Sequence, residues 1–476
     1  MTRGMRQACW VPALALLAGC QSSSFFQTGL DRVNEALGPL PAPVAIQDPS
    51  SNEGSSNEGS SSERVELLLA TPVDQNAAVE LALIHSRALQ AILSQGMAEI
   101  AEAGQTGRLP NPVFSYERMR SLDEREVGRA LSIGLLDLLT WPQRRATARA
   151  LTNAAVVELT GAIVDEITAV RTAWVSAVAA EQRLVYARQV LQSAEASAEL
   201  ARRMEAAGNF NRLARSRQQL FESLARAELA AAEQSRLAQR EALVRLLGLD
   251  DAEAGRLQLP TQLPSLPASP LGIESVRQRA LSERLDVALA EARFQAAAKA
   301  EGLTRIISLG DLELSRSRER KQKTDGDIER VSGYELELVV PLFDAGELRR
   351  GAASQRALAS VNQLDSTLRR AGSHLRESYA LYRNSHEVAR LYLDEVIPLR
   401  KQVSEETLLR YNAMLLGVFE LLADAREQRE TVMQAIRAQE DFWRAEADLQ
   451  AAMLGRPMAG GALQVEGAKV AADPGH

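Results

Sequence analysis

The segment Tyr334-Glu335-Leu336-Glu337-Leu338-Val339-Val340-Pro341-Leu342-Phe343-Asp344-Ala345-Gly346 joins two kinds of secondary structure. Its first half alternates apolar and acidic side chains, which is the period of a half-buried β-strand. Beyond Gly346 the period changes, because apolar residues from Leu375 to Val396 recur at steps of four and three. That spacing is typical of a coiled-coil helix and predicts a helix over residues 346–410. The segment is therefore predicted to lead from a strand into a very long helix.

The same order of parts occurs twice, first over residues 74–272 and again over 273–455. Each copy has a helix of modest length, two strand-like runs, a very long helix, a sharp break and a shorter returning helix. The returning helix would match the long helix in length if the first helix of its copy stacked on its end. Because one copy is not expected to bury its hydrophobic seam alone, the two should pack together. The predicted strands are 113–120, 126–136, 308–318 and 331–340, and the predicted helices include 74–104, 142–207, 212–247, 346–410 and 417–453.

Composition narrows the possible functions. Aromatic residues make up only 4% of the 476 residues, which favours long helices over ordinary globular domains. The net charge of −7 is mild and mixed in sign, so nucleic-acid binding is not expected. The histidines (His85, His374, His386 and His476) lack a metal-binding spacing, and no phosphate-binding loop or nucleophile motif occurs. We therefore expect no enzyme activity, no metal and no cofactor, and we expect His386 to be a packed or inward-facing helix residue.

The N-terminus predicts the cellular compartment. Arg3 and Arg6 precede an apolar run that is too short to span a bilayer. The run ends in Leu17-Ala18-Gly19-Cys20, which resembles the bacterial lipoprotein signal. This resemblance implies that residues 1–19 are a signal peptide and that Cys20 becomes the acylated N-terminus, bearing palmitate among its acyl chains. The alternative is a secretory peptide with a chance cysteine. No aspartate follows Cys20, and the outer membrane is therefore the expected destination.

The segments outside the two copies are expected to be accessory. Residues 20–73 are predicted to be a lipid-anchored flexible linker, because 50–62 consists of Ser, Asn, Glu and Gly without core-forming residues. Prolines between Pro260 and Pro270 mark a connector between the copies, and 456–476 is a C-terminal tail. Only Cys9 and Cys20 are cysteines, so the mature body can contain no disulfide.

Together these features resemble the TolC-type outer membrane efflux proteins. Leu109-Pro110-Asn111-Pro112 opens the first hairpin as in that family, and the sequence from Val340 to Gly346 is similar to its strand-to-helix signature. The stretch Arg410-Tyr411-Asn412-Ala413-Met414-Leu415-Leu416-Gly417-Val418-Phe419-Glu420-Leu421-Leu422 resembles its second helical tip. The likeness extends over about residues 74–455. The first copy departs from the pattern, because 136–141 lacks the Pro-Leu-Phe-Asp form.

The resemblance implies a mainly α-helical fold with a small β part. Three chains would each give two β-hairpins to a 12-stranded β-barrel, and their long antiparallel coiled-coil helices would form an α-barrel tunnel. Such a homotrimer would be the exit duct of a tripartite efflux or export system, meeting a periplasmic adaptor and an inner-membrane pump. The expected docking residues at the tips are Gly208, Asn209, Phe210, Asn211, Arg212, Leu213, Met414, Leu415, Leu416, Gly417, Val418, Phe419 and Glu420. The expected strand-to-helix junctions contain Pro142, Pro341, Phe343, Asp344 and Gly346.

One rival function belongs to a different class. The chain could be a lipid-anchored periplasmic coiled-coil spacer with a short or absent membrane barrel. The hairpins discriminate between the two, because a spacer has no need of strand pairs at matching positions in each copy. At the tips, plain turns without a partner are the alternative to docking surfaces.

Overall fold

The computed structural model describes residues 25–38, 40–46, 56–121, 124–308, 310–323 and 327–457. Long helices make up most of it, with a single antiparallel sheet at one end. The helices are α1 (25–37), α2 (Ser56–Leu69), α3 (Gln75–His85), α4 (Arg87–Gln105), α5 (Leu135–Ala206), α6 (Arg212–Leu247), α7 (Asp251–Arg256), α8 (Ile273–Glu283), α9 (Leu285–Ile307), α10 (Glu347–Leu391), α11 (Ile397–Asn412) and α12 (Val418–Met453). The strands are β1 (Val113–Arg120), β2 (Glu124–Gly134), β3 (Asp311–Lys323) and β4 (Ile328–Val339).

The first helix of each copy is broken in two. In the first copy Ser86 has an extended backbone (φ −66°, ψ 113°), and its hydroxyl accepts a hydrogen bond from the Leu89 N–H at 3.4 Å. In the second copy Arg284 has nearly the same backbone angles (φ −70°, ψ 111°). The prediction of one continuous helix over 74–104 was therefore wrong. Apolar periodicity runs across both breaks, and sequence alone gave no sign of them.

Each break receives the end of the returning helix. The last turn of α12 meets the start of α9, where the Leu285 N–H donates to the Leu454 carbonyl at 2.9 Å. In the first copy Gly248, just after α6, approaches Ser86 so closely that a Cβ at Gly248 would lie 2.9 Å from the Ser86 Cα. The end-to-end stacking expected from the helix lengths is confirmed. At 1.5 Å per residue, the 72 residues of α5 extend about 108 Å, and α6 alone covers half of that.

The long helix of the first copy begins earlier than predicted. It starts at Leu135, immediately after β2, so Pro142 lies inside it and does not mark a strand-to-helix junction. Asp137 in the first turn accepts a hydrogen bond from Arg144, and its charge is favourable at a helix N-terminus. These contacts hold the turn although the Pro142 nitrogen cannot donate. The proline was a misleading signal.

The long helix of the second copy changes pitch once. Residues Tyr392–Val396 form a π-helical turn, in which the Ile397 N–H donates to the Tyr392 carbonyl. Pro398 follows directly. Proline lacks an N–H and its ring crowds the carbonyl four residues earlier, and a wider turn relieves that conflict. The predicted helix over 346–410 is therefore real but interrupted.

The N-terminal segment is more ordered than predicted. Helices occupy 25–37 and Ser56–Leu69, although 20–73 was expected to be a flexible linker. Val33 and Leu69 are buried in the main hydrophobic core, and the Gln90 amide donates to the Ala45 carbonyl at 3.0 Å. Burial of apolar side chains explains this order, because a flexible linker would leave them in water. The predicted signal peptide 1–19, Cys20 and the tail beyond residue 457 lie outside the described residues.

Two apolar clusters lie midway along the helices. The first surrounds Trp174 of α5, whose indole N–H donates to the Val73 carbonyl at 2.9 Å. The second surrounds Tyr382 of α10 and Phe442 of α12, whose ring centroids are 5.5 Å apart. The connector between the copies packs here, because the Tyr382 hydroxyl accepts from the Leu271 N–H at 3.1 Å. The two copies are thus joined near their middle. Within the described ranges, no helix is both long and apolar enough to cross a membrane.

Candidate functional site

The sheet contains four strands in the order β1-β2-β3-β4, and every neighbouring pair is antiparallel. The second hairpin is longer than predicted, since β3 and β4 have 13 and 12 residues. Residues predicted to form its loop are paired, for example Arg320 with Arg330. β1 and β4 are the outer strands, and each therefore has one edge without a strand partner among the residues that the structure describes. The helices join the sheet at one end, and both hairpin turns lie at the other.

The register sorts the charged residues by face. Directly opposed residues point to the same side of a sheet, so each strand can be placed on one of two faces. One face, here called the arginine face, carries every arginine of the strands: Arg118, Arg120, Arg125, Arg129, Arg316, Arg318, Arg320 and Arg330. The other, the acidic face, carries every carboxylate of the strands: Glu117, Glu124, Glu126, Asp311, Glu313, Glu319, Glu329, Glu335 and Glu337.

The two faces also differ in apolar content. The arginine face carries most of the large apolar side chains: Phe114, Tyr116, Val127, Leu131, Ile133, Leu312, Leu314, Ile328, Tyr334, Leu336 and Leu338. Most of these lie in the half of the sheet nearest the helices, whereas most of the arginines lie toward the turns. The acidic face is lined by serines and glycines between its carboxylates, such as Ser317 opposite Gly333. The arginine face is thus amphipathic along its length, and the acidic face is mostly polar, with Val113, Met119, Val331 and Val339 as its larger apolar side chains.

The first helical tip is a tight reversal at Gly208. Its φ of +76° lies in the left-handed region, which glycine adopts without strain. The Asn209 N–H donates to the Met204 carbonyl at 2.8 Å, and the Asn211 side chain caps α6 by accepting from the Ala214 N–H at 2.8 Å. The predicted turn at this tip is confirmed. Arg212 and Leu213 begin α6 with exposed side chains, and Phe210 is half-buried.

The second tip has the same backbone with different residues. The Leu415 N–H donates to the Arg410 carbonyl at 2.8 Å, which matches the bond made by Asn209 in the first tip. Met414 occupies the position of Gly208 and has a φ of 60°. It is the one non-glycine residue with positive φ among those described. Left-handed backbone costs an L-residue roughly 1–2 kcal/mol, so Met414 is held in a strained conformation.

Exposed apolar side chains mark the second tip. Met414 is 93% exposed and Leu415 is 74% exposed. Leu416 is half-buried, and Glu420 is exposed. Gly417 caps α12 with extended backbone and contributes no side chain. The side chains of Val418 and Phe419 lie outside the described part of the structure.

Both tips point to the same end of the molecule, opposite the sheet. The guanidinium of Arg426 in α12 lies 5.0 Å from the ring centroid of Phe221 in α6, a few turns from each tip. Nearby, an ion pair joins Arg429 of α12 to Glu228 of α6. The first tip is also braced internally, because Arg215 pairs with Glu205 across the hairpin at 2.8 Å. The structure thus places the two predicted sets of tip residues at the same end of the molecule.

The strand-to-helix junction of the second copy is built around Asp344. Its carboxylate accepts from the Gly346 N–H at 2.8 Å and from Arg349 at 2.9 Å. These hydrogen bonds, the Gly346 N–H first, lower the pKa of Asp344. Gly346 has a φ of +73°, and Pro341 and Phe343 belong to the exposed turn between β4 and α10. Phe343 is fully exposed.

One histidine and one charged cluster are buried among the helices. His386 is 3% exposed and its Nε2 lies 3.0 Å from the Pro267 carbonyl oxygen, so it is a packed residue as predicted. Glu446 of α12 accepts from Gln450, which in turn accepts from Arg171 of α5. Burial raises the pKa of Glu446 and lowers the pKa of Arg171. This cluster joins the two copies. No group of metal-ligating side chains occurs within the described residues.

Comparison with known proteins identifies the fold. No protein-family model matches the chain, and no curated protein matches its sequence. A membrane protein from Pseudomonas aeruginosa has a TM-score of 0.68 at 22% identity, over 86% of this chain and 99% of that chain. The outer membrane protein VceC from Vibrio cholerae has a TM-score of 0.65 at 18% identity, over 80% and 95%. The open-state MtrE outer membrane channel of Neisseria gonorrhoeae has a TM-score of 0.64 at 21% identity, over 79% and 88%.

These similarities define the class of fold. The chain has the fold of outer-membrane channels, with paired hairpins at one end of duplicated long helices. The fold implied by the TolC-type resemblance is therefore confirmed. The number of chains in the assembly and the closure of their strands are expectations from the resemblance.

Sequence reasoning missed two features of the site. The strain at Met414 had no signal, because the tip motif gives no backbone angles. The separation of arginines from carboxylates did have a signal in the sequence, since Arg316, Arg318 and Arg320 alternate with other residues along β3. Within one strand that alternation defines a face. Only the register between strands places the arginines of all four strands on the same side.

Proposed function

We propose that this protein is an outer-membrane exit duct of a tripartite efflux or export system. The observation that carries the proposal is the sheet with two open edges, joined to long helical hairpins, in the fold of outer-membrane channels. Edge strands of this length normally find a partner. Three copies would pair β1 of one chain with β4 of the next and close a 12-stranded barrel. A closed barrel leaves no unpaired backbone group, which is the condition for lying in lipid.

The helices support the same assembly. Leu213, Leu220 and Leu224 of α6 are more than half exposed, as are Leu399 and Leu409 of α11. Leu220 and Leu224 are four residues apart and therefore share one side of α6. Such stripes bury their apolar surface when another helix packs on them. Packing of these stripes between neighbouring chains would continue the barrel as a hollow α-helical tunnel in the periplasm.

The two faces of the sheet fit the two sides of a barrel wall. The apolar side chains of the arginine face suit the lipid, and the acidic face with its serines and glycines suits a water-filled lumen. The carboxylates would then line the pore and favour cations over anions by their charge. Ring formation by three chains would triple that charge.

The tips are the proposed docking site for a periplasmic adaptor, which would link the duct to an inner-membrane pump. Exposed Met414 and Leu415 form an apolar patch at the far end of the hairpin, and apolar patches at such places are interaction surfaces. Methionine adapts its shape easily to a partner. Strain at Met414 is consistent with a side chain kept for contact, because glycine would fit the backbone better. The residues proposed to take part are the tip residues named above, with the Val418 and Phe419 side chains included.

Cys20 is proposed as the lipid attachment site. The described chain resumes at Phe25, whose ring packs against Gly104 near the end of α4, close to the start of the sheet. Helix α1 is held there because Arg32 donates to the Asn153 side chain at 2.7 Å. An acyl anchor a few residues before Phe25 would therefore reach the leaflet on the helix side of the barrel. Several acyl chains make a durable anchor.

The rival proposal, a periplasmic spacer without a channel, is less well supported. A spacer would have no use for a sheet whose carboxylates all share one face. Strands β2, β3 and β4 also reach or exceed the 9–11 residues that a tilted lipid-spanning strand needs, with β2 having 11. β1 is shorter, with 8 residues.

In-cell cross-linking tests the docking proposal. A photoreactive amino acid at Leu415 or Phe210 should give adducts with a periplasmic protein encoded near this duct. The same probe at Leu281, an exposed residue of α8 far from the tips, serves as the control. Adducts from the tips alone support docking. Adducts only between copies of this chain, or equal yields at Leu281, would contradict it.

A further inference from the structure

We propose that the arginine face is a binding surface for the phosphate groups of the lipids that surround the turn end of the sheet. This inference rests on the proposed function, because it requires the sheet to lie in a membrane. It names the partner of one face by its chemistry: a phosphorylated, anionic lipid. The observations are the separation of arginines from carboxylates by face, the position of the arginines along the strands, and the lack of ion-pair partners for these arginines among the described residues.

In the strands every arginine lies on one face and every carboxylate on the other, while the lysines of β3 lie on the acidic face. No carboxylate of the four strands shares the arginine face, and all eight arginine side chains named above are exposed. None of them has an ion-pair partner among the described residues. By contrast, Lys321 on the acidic face pairs with Glu126 at 3.1 Å. Within the described part of the chain, Lys321 on the acidic face is thus neutralised, whereas the arginines of the other face have no carboxylate partner.

The arginines follow an apolar band along the strands. Next to the helices the paired residues are Leu312 with Leu338 and Leu314 with Leu336. Arg316 comes next and lies 5.3 Å over the Tyr334 ring. Beyond it, the arginine face continues with Arg318 and then Arg320 along β3. From Leu312 to Arg320 the strand rises about 27 Å, so this face changes from apolar to cationic within a length comparable to the hydrocarbon core of a bilayer.

The two zones of the arginine face match the two parts of a lipid molecule, its acyl chains and its headgroup. The apolar zone would meet acyl chains, and the arginine zone would meet the headgroups of the leaflet at the turns. Arginine is costly near the middle of a bilayer but costs little at its interface. Its planar guanidinium binds phosphate oxygens through two parallel hydrogen bonds, which lysine cannot do. A zwitterionic headgroup would leave part of this charge uncompensated, and an anionic phosphate would not.

The opposite orientation is less favourable. If the acidic face met the lipid, carboxylates along the whole strand length, from Asp311 beside the helices to Glu329 near the turns, would enter the apolar layer. The large side chains of Phe114 and Leu336 would then line a water-filled pore. Arginine can also extend its apolar stem to the interface, whereas the shorter glutamate cannot.

The test measures lipid binding directly. The purified protein in a neutral maltoside detergent is titrated with diphosphoryl lipid A, and bound lipid is counted by native mass spectrometry. The same lipid without its phosphates measures the contribution of the acyl chains. The variants are R320Q and the triple variant R318Q/R320Q/R330Q. The control is K321Q, which removes one charge from the adjacent residue on the acidic face.

The expected result is preferential retention of the phosphorylated lipid by wild type and K321Q. Each arginine removed should weaken that binding roughly fivefold. Equal retention of both lipids, or a triple variant that binds like wild type, would overturn the inference. Complete displacement of the lipid by inorganic phosphate would also overturn it, as would a triple variant that changes only the oligomeric state.

Pore formation separates this inference from the proposed function. The same preparations are added to planar bilayers of phosphatidylcholine. If wild type forms pores but shows no preference for phosphorylated lipid, the lipid inference alone fails. If it forms no pores, the duct itself is contradicted.

Discussion

Replacing Met414 by glycine should stabilise the second tip. Relief of the left-handed strain is worth roughly 1–2 kcal/mol. The extra freedom of glycine in the open tip offsets about 0.5–1 kcal/mol of that gain. The net effect is a stabilisation of about 0.5–1 kcal/mol, or roughly two- to fivefold in the opening equilibrium. Met414 is 93% exposed, so little packing is lost in the isolated protein.

Gly208, at the equivalent position of the first tip, supplies a matched control with the opposite substitution. Gly208 has a φ of +76°, and a Cβ added there would meet nothing within 4 Å. Gly208→Ala should therefore destabilise the first tip by a similar amount for purely backbone reasons, about 0.5–1 kcal/mol. Stabilisation by Met414→Gly together with destabilisation by Gly208→Ala would be difficult to explain except by backbone strain.

Amide hydrogen exchange is the appropriate assay, because it reports local opening. The amides to follow are those of Leu415 and Asn209, which bond to the Arg410 and Met204 carbonyls. After correction for intrinsic exchange rates, Met414→Gly should slow exchange at Leu415, and Gly208→Ala should speed it at Asn209. Faster exchange in Met414→Gly would refute the strain argument. The same variant should bind the adaptor less well, since it lacks the exposed thioether side chain.

Three further predictions concern the core, the buried carboxyl and the acidic face. Phe442→Ala should lower stability by about 3–5 kcal/mol, because Phe442 is 0% exposed and packs on Tyr382; a melting temperature within a few degrees of wild type would contradict this. Because burial raises the pKa of Glu446, the protonated carboxyl stabilises the fold at low pH, and this stability is lost as the pH rises from the ordinary pKa of a glutamate through the raised one. Glu446→Gln should therefore raise the melting temperature more at neutral than at mildly acidic pH. A gain that is independent of pH would count against the burial argument. In planar bilayers, Glu335→Gln/Glu337→Gln should bring the reversal potential in a salt gradient closer to zero, whereas an unchanged cation preference would place these carboxylates outside the pore.

Much of the fold could be predicted because its signals are periodic. The change from a period of two to steps of four and three at Gly346 located β4 and α10. The duplication located their counterparts, and the helix lengths implied end-to-end stacking, which the structure shows at Ser86 and Leu285. The breaks themselves could not be predicted. They depend on the approach of Gly248 and Leu454 from distant parts of the chain, and local sequence carries no trace of that contact.

The errors have local physical causes. Pro142 looked like a helix start because proline is favoured there, yet Gly134 and Asp137 begin the helix earlier. The charged ends of β3 and β4 looked like a loop, because Lys321 and Glu329 are more typical of loops than of strands. In the sheet they pair directly and share one polar face. Strand ends that face water or headgroups need no apolar alternation, so period-based prediction cuts them short.

The most direct test of the account is the ionic conductance of the purified, lipid-bearing protein in a planar bilayer. Three chains that close the β1 and β4 edges into one barrel should give discrete conductance steps that favour cations, because the acidic face would line the pore. A protein that inserts into the bilayer yet gives no steps at any voltage would contradict the hollow assembly on which the proposed function depends.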